Sequence, residues 1–319
     1  MLRMWSVISS ALGSSDLGAL RRYKSLMWRG HTARFAPSIA SQLRRPNVEL
    51  MTDHILRFDL RSWLLLATLG LHVHAASSSG SSHSAKQVHF EPEQIIAFAS
   101  KVEKTLADRG ARVAIIARMG RPLSELPEGM HFTHVAFAMY FETSTPDGRK
   151  LPGYTIYNLY QQDNHPDVSE LVQDFPVDFF ADVAQLEAGI IILSPHLQMR
   201  LQEVIASPVY KALHNPQYSV IANPFTLGRQ NCTEFVLDVI HAAIYHTSDI
   251  QVIKANEKAF FVAQSVHVNP FKLLLGSLFS AEVSTSDQVG QPVTATFEKL
   301  GEYLLKYDAG SSVITVMPD

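Results

Sequence analysis

Residue Cys232 is the only cysteine among 319 residues, so the chain can form no internal disulfide and cannot assemble a thiol-based zinc or iron–sulfur site. Its neighbours give that thiol a chemical setting. Asn231 stands in front of an apolar stripe (Phe235, Val236, Val239, Ile240, Ala243), and Glu234 follows three residues later. This is a capping-box pattern, with Asn231 as N-cap, Glu234 reaching back to the Asn231 amide and Cys232 at the first helical position. Unpaired amides and the helix dipole at such a position favour a thiolate and lower a thiol pKa from about 8.5 into roughly 3.5–7.5. The Cys232 amide then offers an oxyanion donor, with Thr233 beside it. The alternative reading is a small buried hydrophobe that begins a helix.

A cysteine nucleophile needs a base, and ten histidines follow residue 75. His134 is the best placed, since it opens an alternating run, Phe132–Phe141, whose same-face neighbours Ala136 and Ala138 leave room for a helix end and a substrate. Its alternative is an ordinary half-buried histidine. His131, three residues earlier, falls on the opposite face of an extended chain, which argues against a metal-binding pair. A third residue must orient the imidazole. Asn158 fits, as a polar amide in the apolar run Tyr154–Gln161, with Tyr157 and Gln161 as alternatives. Arg118 either lines the pocket or braces the following loop.

These residues require a scaffold of both helices and strands. Helical spacing runs over Glu91–Gly110, Leu197–Ile205, Cys232–Tyr245, Asp249–Val262, Pro270–Phe279 and Ala295–Tyr307. Strands are expected at Arg112–Arg118, Phe132–Phe141, Tyr154–Gln161, Gly189–Leu193 and Val313–Val316, with a short β-rich piece at Ser219–Ala222 and a turn at Thr145–Gly148. The expected class is α+β. Asp163–His165 reads as a polar turn. His241 and His246, five residues apart on one helix, lack metal-ligand spacing and read as structural. The aromatic C-terminal third, including Phe260, Phe261, Phe271 and Phe279, reads as core, with Pro270–Phe279 a possible cover for the active-site cleft.

Composition narrows the functions. Charged residues make up 18% of the chain against roughly 25% in average globular proteins, and hydrophobic residues 46%, which excludes a disordered chain or a coiled coil. The net charge of −3 divides into +6 over residues 1–50 and −9 over the remainder. An acidic main portion argues against nucleic acid as a partner. With no Walker loop, dinucleotide fingerprint or zincin helix, no cofactor or metal is expected.

Residues 51–75 have the order of a signal peptide: a polar lead with Arg57 and Arg61, the short apolar run Trp63–Leu71, and small residues Val73 and Ala75 before a cleavage point. Export to the periplasm or medium follows, with no integral membrane span after processing; an uncleaved anchor or a buried hydrophobic helix is the alternative reading of the apolar run. Residues 1–50 then read as an upstream extension, mis-assigned or disordered, 76–90 as a Ser-rich linker, and 91–319 as one domain. A transit peptide at 1–50 is the alternative.

The strings Arg118–Ser124, Phe132-Thr-His-Val-Ala-Phe137, Tyr154–Tyr160 and Asn231-Cys-Thr-Glu-Phe235, with histidine before cysteine, resemble the circularly permuted branch of the NlpC-type papain-like cysteine hydrolases. That branch includes lecithin:retinol acyltransferase relatives and exported bacterial proteins of unknown function, and the chain looks closest to the latter. The resemblance covers about residues 90–250. It implies a papain-like core of antiparallel sheet packed on the cysteine-bearing helix. Cys232 would attack an amide or ester carbonyl, His134 would move the proton, and a polar residue on the next strand would hold the ring. The relatives often have Glu or His at that last position, whereas Asn158 stands here. Peptidoglycan peptides are the leading substrate and acyl groups the second. The contrasting expectation is a secreted binding or assembly protein that keeps the core without chemistry.

Overall fold

A computed structural model describes residues 89–144, 150–163, 165–266 and 283–319. The expected upstream extension, the signal peptide, nearly all of the linker, the Thr145–Gly148 turn and the Pro270–Phe279 helix lie outside the described residues.

The fold is mixed α and β. Helix α1 (Pro92–Asp108) leads to β1 (Val113–Met119), β2 (His134–Ser144), β3 (Lys150–Gln162) and β4 (His165–Asp174). The short helix α2 (Pro176–Phe179), β5 (Gln185–Ile192), α3 (Pro195–Ala206), α4 (Pro208–Ala212), α5 (Cys232–Tyr245) and α6 (Ile250–Phe260) follow. A small ribbon, β6 (Gln264–Ser265) with β7 (Val293–Thr294), precedes α7 (Phe297–Tyr307) and β8 (Ser312–Val316). Six strands form one antiparallel sheet in the order β4-β3-β2-β1-β5-β8.

Central position explains the sequence of β1. All seven residues are buried, since helices cover both faces, and the strand reads as a continuous apolar run broken by Arg118. One face packs Ile115, Ala117, Val135, Phe137 and Leu159 against α3, α5 and α7. The other packs Ala114, Ile116, Ala136 and Ala138 against α1, Phe179 and Phe180. Helix α5 is buried from Cys232 to Ala243, so its capping residues are core residues as well. Helix α1 is followed by Gly110 at φ +64, the left-handed position that a glycine accepts without steric cost.

Two differences from expectation bear on the site. The Ser219–Ala222 segment is a turn, with one isolated bridge, Tyr218 to Gln230, beside it. The polar stretch after Gln162 contains β4, whose mixed burial and Pro166 suit an edge strand with one side in solvent.

Candidate functional site

The sheet forks between β2 and β3. Pairing of β2 with β1 continues to Arg118↔His134, and pairing of β3 with β4 continues to Gln161↔Ser169, but the β2–β3 ladder ends at Phe137↔Tyr157. His134, Val135 and Ala136 therefore lie beyond the last β3 pair. The Tyr140 amide donates to the Arg112 carbonyl, so by alternation the Phe137 and Val135 amides face β3. With β3 splayed away, the Val135 amide is free to meet the first residue of α5.

That residue is Cys232. Its thiol is hydrogen-bonded to the Val135 backbone and Thr233, and the Arg118 guanidinium acts on it electrostatically. The Sγ lies 3.8 Å from Thr233 Oγ1. Cys232 is only 3% exposed, and burial pushes the thiol pKa up, outweighing the hydrogen bonds and Arg118, which pull it down. The helix position alone predicted a lowered thiol pKa; desolvation reverses that expectation.

Asn231 is the N-cap. Its Oδ1 accepts from the Glu234 amide at 2.9 Å, while its Nδ2 donates to Val220 O at 3.2 Å and Thr294 Oγ1 at 3.0 Å. The second half of the expected capping box is replaced, because Glu234 Oε1 binds Lys254 Nζ at 2.8 Å instead. A buried ammonium is a stronger partner for a buried carboxylate than a backbone amide.

His134 is fully buried, and its ring stacks on Tyr160 with centroids 4.8 Å apart and planes 10° apart. Phe179 lies 5.6 Å away on the same side. Nε2 is 3.0 Å from Asn158 Oδ1, and Asn158 Nδ2 donates to Asp174 Oδ2 at 3.2 Å. An amide oxygen accepts, so Nε2 carries the hydrogen and Nδ1 presents a lone pair. Nδ1 has no hydrogen-bond partner among the described residues. Burial, together with Arg118, holds the imidazole pKa well below its ordinary value, against the Asn158 hydrogen bond, so the ring is neutral near pH 7.

The site thus straddles the sheet. Cys232 packs with Val135 and Phe137 in the α5 layer, whereas the His134 ring lies among Tyr160 and Phe179 on the α1 and α2 side. The room expected beside Ala136 and Ala138 is filled by α1, and α5 arrives from the opposite face. The thiol abuts the residue that follows His134, and no hydrogen bond joins Sγ to the imidazole. Arg118 bridges the two, acting on both groups, and its Nη1 donates to Phe179 O at 2.6 Å. It lies 5.5 Å from the Tyr160 ring centroid.

Asn158 is the residue that meets His134. Tyr157 faces the other layer, 5.8 Å from Tyr210, and Gln161 donates to Pro166 O at 2.8 Å as a brace between β3 and β4. His131 is outside the site and pairs with Glu187 at 2.9 Å. His241 stacks on Tyr303, centroids 5.3 Å apart, and His246 ends α5 at φ 50. Two contributors escaped the sequence reading: Tyr160 beneath the imidazole and Asp174 behind Asn158. Tyr160 was visible as an alternate residue of the Asn158 strand, whereas Asp174 ends β4, a segment to which the sequence assigned no element. Among the described residues, no group of three or more His, Cys, Asp or Glu side chains is placed to hold a metal ion. No described helix is long and apolar enough to cross a membrane.

Residues 105–304 match the family described as an uncharacterized protein conserved in bacteria (DUF2145). The chain belongs to that family. The matched segment contains Cys232, His134, Asn158 and Asp174, and so covers the whole site. No curated protein and no solved structure matches the chain significantly.

Proposed function

We propose that this DUF2145 chain is a cysteine-nucleophile hydrolase or acyltransferase with a papain-like core of the permuted NlpC type. The observation that carries the reading is the Asn158-held imidazole, whose unpartnered Nδ1 lies one residue from the backbone that contacts the Cys232 thiol. Thiol and imidazole are both neutral at rest. As Sγ attacks a carbonyl carbon, His134 Nδ1 takes the thiol proton, and the same proton later goes to the leaving amine or alcohol. Asn158 keeps Nε2 protonated through both steps. The Cys232 amide at the start of α5 receives the developing oxyanion. Water or a second nucleophile then releases the acyl group from sulfur.

An amide or ester carbonyl is the substrate class, with cell-wall peptide first if residues 51–75 direct export. Export is itself a proposal resting on the Arg57–Ala75 pattern. The test is turnover of peptidoglycan fragments and of a simple activated ester by wild type, Cys232→Ala and His134→Ala. Both variants should lose turnover, and retained turnover in Cys232→Ala ends the proposal.

A second reading has its own support, since Cys232, His134 and Asn158 are all buried and Cys232 is not hydrogen-bonded to His134. On that reading the chain is a binding or assembly protein built on the same core. A thiol reagent near neutral pH separates the two. Labelling of folded protein favours the enzyme, and labelling only on unfolding favours the binding protein.

A further inference from the structure

The imidazole is held by a chain of groups that extends one residue beyond its direct partner. Asp174 is buried at the end of β4 and accepts from Asn158 Nδ2 at 3.2 Å and from the Tyr160 hydroxyl. A second acceptor, Ile156 O, lies 3.4 Å from the same Nδ2. Asn158 could in principle turn its amide either way, and each orientation asks for a different histidine tautomer. With Oδ1 toward the ring, Nε2 must carry hydrogen and Nδ1 is a base. With Nδ2 toward the ring, Nε2 must accept, the hydrogen moves to Nδ1, and the ring cannot take a proton there.

A carboxylate can only accept, so Asp174 removes the second orientation. Turning the amide would set Oδ1 against the Asp174 oxygen and against Ile156 O, leaving several buried acceptors without donors. A buried acceptor without a donor carries its full desolvation penalty, greater still when it is charged. Tyr160 closes the arrangement, since it donates to Asp174 and stacks under the ring that Asp174 controls.

We propose that Asp174 is a positioning residue that sets the His134 tautomer through Asn158 and thereby makes Nδ1 the proton acceptor of the site. The inference rests on the reading of His134 as base, but its primary readout does not require turnover. Asp174 touches neither the thiol nor the acyl group and acts only by fixing which imidazole nitrogen is available.

The test is nitrogen NMR of the full chain carrying labelled histidine, with the His134 signals identified by their loss in His134→Gln. Wild type should show a single neutral Nε2–H tautomer. Asp174→Asn keeps the shape but offers the Asn158 amide either a donor or an acceptor, so the Nδ1–H form should appear. The double variant Asn158→Asp/Asp174→Asn keeps an acceptor facing Nε2 while reversing the 158–174 hydrogen bond, the amide now donating to the carboxylate, and should return His134 to one tautomer, a recovery that a purely structural role would not give. Acylation by an activated ester should fall about 10–100-fold in Asp174→Asn, by analogy with the loss of outer partners of metal-bound histidines, and recover in the double variant.

An Nδ1–H form in wild type, an unchanged tautomer in Asp174→Asn, or no recovery in the double variant overturns the proposal. Should Asp174→Asn fail to fold, the double variant decides alone: it folds with the wild-type tautomer or the proposal fails. Absence of acylation in every protein, with the tautomer pattern as described, would instead remove the enzymatic reading and leave this one standing.

Discussion

Replacing Lys254 by Met should destabilise the protein by an amount that depends steeply on pH. The Lys254 ammonium lies 2.8 Å from Glu234, 2.6 Å from Asp238 and 3.1 Å from Glu257, with all four side chains buried between α5 and α6. Burial pushes Glu234 up to about 8 and Glu257 well above its ordinary value, against the pull of Lys254. Lys254 is thus the shared counter-charge of three buried acidic side chains, Glu234, Asp238 and Glu257. Methionine keeps most of the lysine volume but removes that counter-charge, so the folded state retains protons that the unfolded chain gives up. An unfolded carboxyl titrates near ~4, and each pH unit above that value costs about 1.4 kcal/mol. The loss is therefore greater at pH 7 than at pH 5. At pH 7 it should approach the ~3–5 kcal/mol observed when one partner of a buried ion pair is removed. Urea unfolding followed by circular dichroism at the two pH values, for wild type and Lys254→Met, measures both. A loss that is equal at pH 7 and pH 5, or below about 1 kcal/mol at pH 7, refutes the reasoning.

Three further outcomes follow from the same structure. Burial, aided by Lys254, lowers His241 from 6.5 to about 4, so the folded state holds it neutral while the unfolded chain protonates it; its contribution is present above pH 6.5 and lost toward pH 4. His241→Phe, which can still stack on Tyr303, should remove up to about 3 kcal/mol of acid sensitivity between pH 7 and pH 4, read as the difference between the two urea midpoints. Gly189→Ala would place a methyl 2.7 Å from the rings of Phe132 and Phe297, which already meet edge to face, and should cost about 1–3 kcal/mol in thermal or urea unfolding. Asn231→Ala removes the side-chain acceptor of the Glu234 amide in the first turn of α5 and two donor contacts, and should cost about 1–2 kcal/mol; a variant as stable as wild type would show that the cap is idle.

Much of the site could be read from local pattern because its pieces are local. Asn231 before an apolar stripe marks the start of α5, and alternation around His134 marks β2, since capping and pleat both act within a few residues. What escaped depends on contacts distant in sequence. Glu234 looked like a capping-box partner, but its carboxylate is claimed by Lys254, twenty residues further on. Cys232 looked activated because a helix start is visible in sequence, whereas the burial that raises its pKa comes from packing against β2. Ala136 and Ala138 were rightly read as a face of small residues, but its occupant is α1 rather than the cysteine helix. Strand β4 was missed because an edge strand with a solvent-facing side needs no apolar alternation, and with it went Asp174. The His134 and Asn158 pairing was an inference across two strands, and the 3.0 Å contact is where the β2–β3 fork brings them together.

The account depends on a sulfur and an imidazole meeting through the fork in the sheet, and an acyl group trapped on that sulfur reports the meeting directly. Folded wild type mixed with an activated ester and analysed by peptide mass spectrometry should carry the acyl group on Cys232, with the adduct lost in His134→Gln under the same conditions. Equal acylation of Cys232 in both proteins, or none in folded wild type, would contradict it.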